Sequence, residues 1–206
     1  MNKCIYCNNE KLYVLKNNYL KCSKCKKKFS LIKYNRQLAL IECFSQNLNA
    51  LQTAKKLKCN YITVGKRFFQ YRELIVSFLD NVYKSIKRNK YEFDEYIYLK
   101  NKNIKTAQNF LTFNYENHIY NIMLPSLNKF SESNAEELST FLKYNKIAQL
   151  KSSNSLINDF WDFLENFLKK YKGIKEENFI YYLKECEFKF NYDKKTQEEI
   201  LLKLLA

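Results

Sequence analysis

Two different periods of apolar and polar residues divide the chain. Residues 11–16 (Lys-Leu-Tyr-Val-Leu-Lys) and 19–21 alternate as short strands do, with Asn17-Asn18 placed for the turn between them. From residue 37 the period becomes helical. Leu38, Leu40, Ile41 and Phe44 share one face, and Ala50–Leu57 makes a short second helix with Asn49 as its cap. Lys58-Cys59-Asn60 is the turn into a third helix. That helix opens at Tyr61, runs to about Asp80 and turns Val64, Phe68, Leu74 and Ile75 inward. Alternation returns at Tyr91–Leu99 and in a hairpin of Phe110–Asn114 and His118–Leu124 around Tyr115–Asn117. A helix over Ser133–Tyr144, a short strand over Lys146–Leu150 and an amphipathic helix over Leu156–Tyr171, ended by Gly173, complete this half. The closing helix from about Thr196 has an unusually apolar end, which either packs on the core or joins two protomers.

Composition narrows the function classes. The 206 residues are 46% hydrophobic and 17% aromatic, enough for real cores. Two Gly and one Pro exclude collagen-like or linker-rich architectures. No apolar run approaches the roughly 18–20 residues that cross a bilayer, and the N-terminus lacks the apolar core of a signal peptide. The expected location is the cytoplasm, against the nucleoid, with no membrane partner and no small-molecule substrate. There, seven cysteines need a reason other than disulfides.

The net charge of +15 is unevenly placed. Residues 1–36 hold ten Lys/Arg and one acid (+9), and residues 37–90 hold ten and three (+7). Residues 91–206 hold sixteen Lys and seventeen acids (−1). Such a step marks a nucleic-acid-binding module joined to something else.

Cys4, Cys7, Cys22 and Cys25 form two C-x2-C pairs, the pattern of four thiolates on tetrahedral Zn²⁺ in a zinc ribbon. Neither pair is followed by the Gly common in such knuckles. Cys43, Cys59 and Cys186 show no ligand spacing and read as ordinary thiols; His118 reads as a satisfied strand residue. The Ala-x-x-Leu, turn, Thr-Val pattern of residues 54–64 is that of a helix-turn-helix, whose last helix enters the major groove of duplex DNA. Asn60, Tyr61, Thr63, Lys66, Arg67 and Arg72 are the expected contacts, with Lys26, Lys27 and Lys28 of the ribbon beside them.

This order of modules resembles the ISXO-like group of DDE insertion-sequence transposases. Glu92-Phe93-Asp94-Glu95-Tyr96 is similar to the motif that carries the group's first metal-binding Asp. Residues 155–161 with 169–174, and above all Phe179–Asn191 (FIYYLKECEFKFN), resemble its two closing motifs. The resemblance implies an α+β multidomain chain. Its parts would be a zinc ribbon over 1–33, a helix-turn-helix bundle over 34–90, and a shortened ribonuclease-H-like domain with C-terminal helices over 91–206.

It also implies a catalytic test that the sequence fails. Two-metal strand transfer needs at least three converging carboxylates. Asp94 stands at the first position, but no Asp occurs between Glu95 and Asp159, Lys151 lies near the second place, and Asn158 occupies the third. The expectation is therefore a DNA-binding protein without a working nuclease, a regulator or accessory factor that associates as a homo-oligomer through 91–206. The alternative is a divergent active transposase using Asp94, Glu95 and Asp162 with Mg²⁺. A third reading, single-strand or RNA binding, draws on the Tyr-rich composition.

Overall fold

The computed structural model describes residues 3–85, 92–98, 107–124, 156–171 and 173–205. The fold is mixed α/β, with six α-helices and two three-stranded antiparallel sheets among the described residues. The chain divides into two compact units, Met1–Phe68 with Lys194–Ala206, and Phe69–Asp193.

In the first unit, β1 (Leu12–Val14), β2 (Tyr19–Cys22) and β3 (Lys28–Ser30) form a meander. Alternation turns Leu20, Cys22 and Phe29 inward around Cys4, which leaves Tyr13 and Lys28 outside. The sequence pattern hides β3 because it has one inward residue in a run of lysines. Helix α1 (Leu31–Ser45) follows directly, with the Ser30 hydroxyl accepting from the Lys33 N–H at 3.4 Å. It starts before the expected residue 37, and its first turns, exposed at Ile32, Lys33, Asn35 and Arg36, carry no apolar stripe to show them in the sequence. A boundary at 33/34 would therefore cut a helix.

Helix α2 (Ala50–Lys56) opens with a capping box in which Asn49 and Gln52 each bond the other's backbone N–H. α1 and α2 end in the same Schellman geometry. Leu48 N–H reaches Cys43 O at 3.1 Å across Asn47 (φ 59), and Cys59 N–H reaches Ala54 O at 3.0 Å across Lys58 (φ 50). With two glycines in the whole chain, Asn and Lys take left-handed positions that Gly ordinarily fills. Helix α3 (Tyr61–Ser85) then buries Val64 and Phe68, and Phe68 meets Phe44 edge-on at 5.1 Å. The closing helix α6 (Lys194–Leu204) packs on α1 and buries Leu201 completely, so it belongs with the N-terminal modules and not with residues 91–193.

The second unit begins with the remainder of α3. Strands β4 (Glu92–Tyr98), β5 (Gln108–Tyr115) and β6 (His118–Met123) make its sheet. Tyr115 pairs with His118 across Glu116 (φ 50) and Asn117 (φ 64), the two positive angles of a type I′ hairpin. α4 (Leu156–Leu168) buries Ile157, Phe160, Trp161, Leu164, Phe167 and Leu168, an i, i+3, i+4 stripe. α5 (Phe179–Asn191) packs on β6 and α4. Trp161 Nε1 donates to Thr112 Oγ1 at 2.9 Å, and Thr112 donates to Asn121 at 2.8 Å, so these three buried side chains are satisfied in series. The expected helix over 133–144 and strand over 146–150 lie outside the described residues.

Gly65 sits inside α3, and a Cβ placed there meets nothing within 4 Å. Gly65→Ala should therefore stabilise the protein by about 0.5–1 kcal/mol, read as a rise in the thermal midpoint.

Candidate metal centre and nucleic-acid interface

The four thiols of Cys4, Cys7, Cys22 and Cys25 lie within 4.8 Å of one another. Cys4 and Cys25 Sγ are 3.6 Å apart, and Cys7 and Cys22 Sγ are 3.5 Å apart. Zn–S bonds of about 2.3 Å in a tetrahedron require S···S edges of about 3.8 Å, so the cage fits. The two knuckles repeat each other. Cys4 O accepts from Asn8 N and Cys22 O from Lys26 N, while Tyr6 N and Lys24 N donate to Cys4 and Cys22 Sγ at 3.4 and 3.3 Å. Asn8 (φ 55) and Lys26 (φ 61) take the conformation of the missing glycines.

Burial works against a thiolate at Cys22, yet N–H groups of Cys25 and Lys24 and the Cys7 thiol outweigh it and bring it down to about 6. Cys25 is pushed up to about 11: the Lys27 N–H lowers it, but burial and the neighbouring thiols prevail. A packed thiol cluster shares its protons unequally in this way, and a metal ion replaces them. The arrangement can hold one metal ion with four sulfur ligands, such as zinc.

Around α2 and α3, Tyr61 is 56% and Ile62 63% exposed, and Asn60, Thr63, Lys66 and Arg67 are exposed with them. They stand opposite the buried Val64 and Phe68. Asn60 has a structural task as well, because its Oδ1 accepts from Ile62 N at 2.8 Å and Thr63 N at 3.3 Å and caps α3. Ile62 was not among the expected contacts; an apolar residue at a helix's second position reads as core until its exposure is seen. Lys26, Lys27 and Lys28 are exposed, with Lys27 Nζ 4.5 Å above the Tyr6 ring.

Arg72 is a correction. It is 4% exposed, its Nε lies 2.6 Å from Glu185 and its guanidinium 4.1 Å above the Tyr182 ring, so it is not presented to a phosphate.

That pairing belongs to a buried charge network that sequence reading missed. On α5, Lys184, Glu185, Glu187 and Lys189 are all buried. Glu185 binds Arg72 and Lys189, each at 2.6 Å. Glu187 accepts from the backbone and side-chain N–H groups of Asn121 at 2.9 Å and pairs with Lys184 at 3.1 Å. Lys184 stands 3.5 Å above Tyr120, whose hydroxyl donates to Asp80 at 2.9 Å. Burial opposes the Glu185 carboxylate, but Lys189 and Arg72 hold its pKa below the ordinary value. At Glu187 burial wins over Lys184 and Asn121, and the pKa is raised.

The carboxylates of the alternative do not converge. Asp94 and Glu95 are neighbours on β4 and face opposite sides of the sheet. Asp94 Oδ1 accepts from the Glu95 N–H at 2.8 Å. Asp162 is on the exposed side of α4, where Tyr96 donates its hydroxyl to Glu165. Among the described residues the four cysteines group closely enough to hold a metal, and Asp94, Glu95 and Asp162 do not. Lys151 lies outside the described residues. His118 is exposed, its ring Nδ1 donating to Glu116 O at 3.2 Å.

Over 50 residues the chain is 44% identical to a protein of Haemophilus influenzae described as an "Uncharacterized transposase-like protein". The matched stretch is 24% of this chain and 41% of that protein, so the chain spans about two-fifths of the relative's length. The likeness supports a transposase-like family. No family model matches the chain, and no solved structure matches it.

Proposed function

We propose that this is a transposase-related, zinc-dependent protein that binds double-stranded DNA and does not cut it. The observation that carries the reading is the exposed face of α3. Tyr61, Ile62, Thr63, Lys66 and Arg67 emerge from the start of a helix entered by a four-residue turn from α2, the arrangement by which a helix-turn-helix offers its second helix to a major groove. The two cations suit phosphates, and Ile62 and Thr63 suit thymine methyls or base edges. Zinc at Cys4, Cys7, Cys22 and Cys25 fixes the basic ribbon beside it in sequence.

In this reading the ribbon and the helices that follow it bind DNA. Residues 91–193 are a shortened ribonuclease-H-like domain used for homo-oligomeric association, the closing helix belonging with the N-terminal unit, and the protein is a nucleoid-associated regulator or accessory factor. Replacing Lys66 and Arg67 together by Ala should weaken duplex binding and flatten the slope of log K against log salt by about one unit per lost phosphate contact. An unchanged slope would count against this interface.

That Asp94, Glu95 and Asp162 form no group able to hold a metal among the described residues, together with the neutral Asn158, supports an absence of strand cleavage. Neither Mg²⁺ nor Mn²⁺ should elicit cutting or joining of duplex DNA, and Asp94→Ala should leave affinity unchanged. Cleavage that disappears in Asp94→Ala would reverse the reading.

A further inference from the structure

The outer face of the ribbon sheet is not used by either the metal cage or the ribbon core. Antiparallel register aligns Tyr13 with Lys21 and Lys21 with Lys28, so one row crosses all three strands as Tyr-Lys-Lys. Tyr19, two residues before Lys21 on β2, shares that face diagonally from Tyr13 and lies opposite Ser30. Tyr13 is 49% and Tyr19 36% exposed, although burial is what usually rewards a large ring in so small a module. Lys21 and Lys28 stand directly opposite each other, a like-charge pair that disfavours the sheet. Glu10 is the single acid among residues 1–36, and it pairs with Lys3 at 3.1 Å, so no carboxylate of the ribbon is left to relieve them.

We propose that this face binds single-stranded DNA, with Tyr13 and Tyr19 as stacking platforms for unpaired bases and Lys21 and Lys28 on the phosphates between them. Two exposed rings beside a cationic row on a small sheet match what a single strand offers, π-faces alternating with negative charge. A duplex keeps its base faces stacked internally and has no use for the rings. The choice of DNA over RNA rests on the proposed duplex-binding function. The chain would hold a duplex with α3 and an adjoining unpaired strand with the ribbon.

The test uses the full zinc-loaded chain with a fluorescent oligothymidine of about a dozen nucleotides, an oligouridine of equal length and a duplex. Tyr13→Ala and Tyr19→Ala should each weaken oligothymidine binding roughly tenfold, leave duplex affinity unchanged and retain bound zinc. Tyr→Phe at both positions should restore binding, since stacking needs the ring and not the hydroxyl. Lys21→Ala and Lys28→Ala should each flatten the salt slope by about 0.7. Oligothymidine affinity that is indifferent to both tyrosines overturns the inference, even if duplex binding persists. Tighter, tyrosine-dependent binding of oligouridine overturns the choice of DNA. Tyrosine-dependent oligothymidine binding without duplex binding leaves this site standing and removes the function proposed for α3.

Discussion

Glu185→Ala should destabilise the protein by about 3–5 kcal/mol, because it removes the carboxylate that two buried cations, Arg72 and Lys189, share. For a chain of this size the thermal midpoint should fall by roughly 10 °C. The cost arises from keeping the cations buried, away from water, more than from the pairing they lose. Arg72→Met, Glu185→Leu and Lys189→Met combined should therefore recover most of it. Calorimetry on the single and triple variants separates the two causes, and a triple variant no better than Glu185→Ala would refute the argument.

The same network sets a pH response. Glu185 has its folded pKa below the unfolded one, so its contribution is complete above the ordinary carboxylate value and disappears as pH falls through the lower, folded value. Glu187 has the opposite sign. Its raised pKa makes the charged form a cost at neutral pH, and protonation relieves that cost as pH falls through the raised value. Acid unfolding between these limits should lose its Glu185 component in the Glu185→Ala variant.

Removing the metal should have the second large effect. The ribbon's core is Leu20, Phe29 and the cysteines themselves, with Ile5, Leu12 and Leu31 at its edge. So small a core cannot offset the entropy of ordering three strands, and metal–thiolate bonding has to supply the difference, of order 10 kcal/mol for structural zinc. The purified protein should carry one zinc per chain. Chelation or Cys22→Ser should abolish amide protection in β1–β3 while the amides of β4–β6 stay protected. Full protection of the ribbon after complete demetallation would show that the thiol cage is not what folds it.

Local chemistry made much of this legible in advance. The C-x2-C pairs, the Asn49 cap, the turn at residues 58–60 and the hairpin at Glu116-Asn117 are each written within a few residues. What escaped depends on distant partners. Arg72 reads as one more cation on a basic helix, and its burial is decided by Glu185, 113 positions away. The Lys-Glu-Cys-Glu stretch of α5 looks solvated by composition, yet β6 and α3 close over it with Asn121, Tyr120 and Asp80 as partners. The closing helix suggested packing on the core or a contact between protomers, and only the fold reveals that it packs on α1. Side chains also took tasks that sequence position does not announce, such as Lys26 and Lys58 in left-handed turns.

The central claim, that duplex DNA lies on the exposed start of α3, is tested most directly by lysine-reactivity footprinting of the full chain with and without duplex. Lys66 should lose reactivity on binding, whereas the exposed Lys169, Lys170 and Lys175 should keep theirs. Protection confined to those three, with Lys66 unchanged, would contradict it.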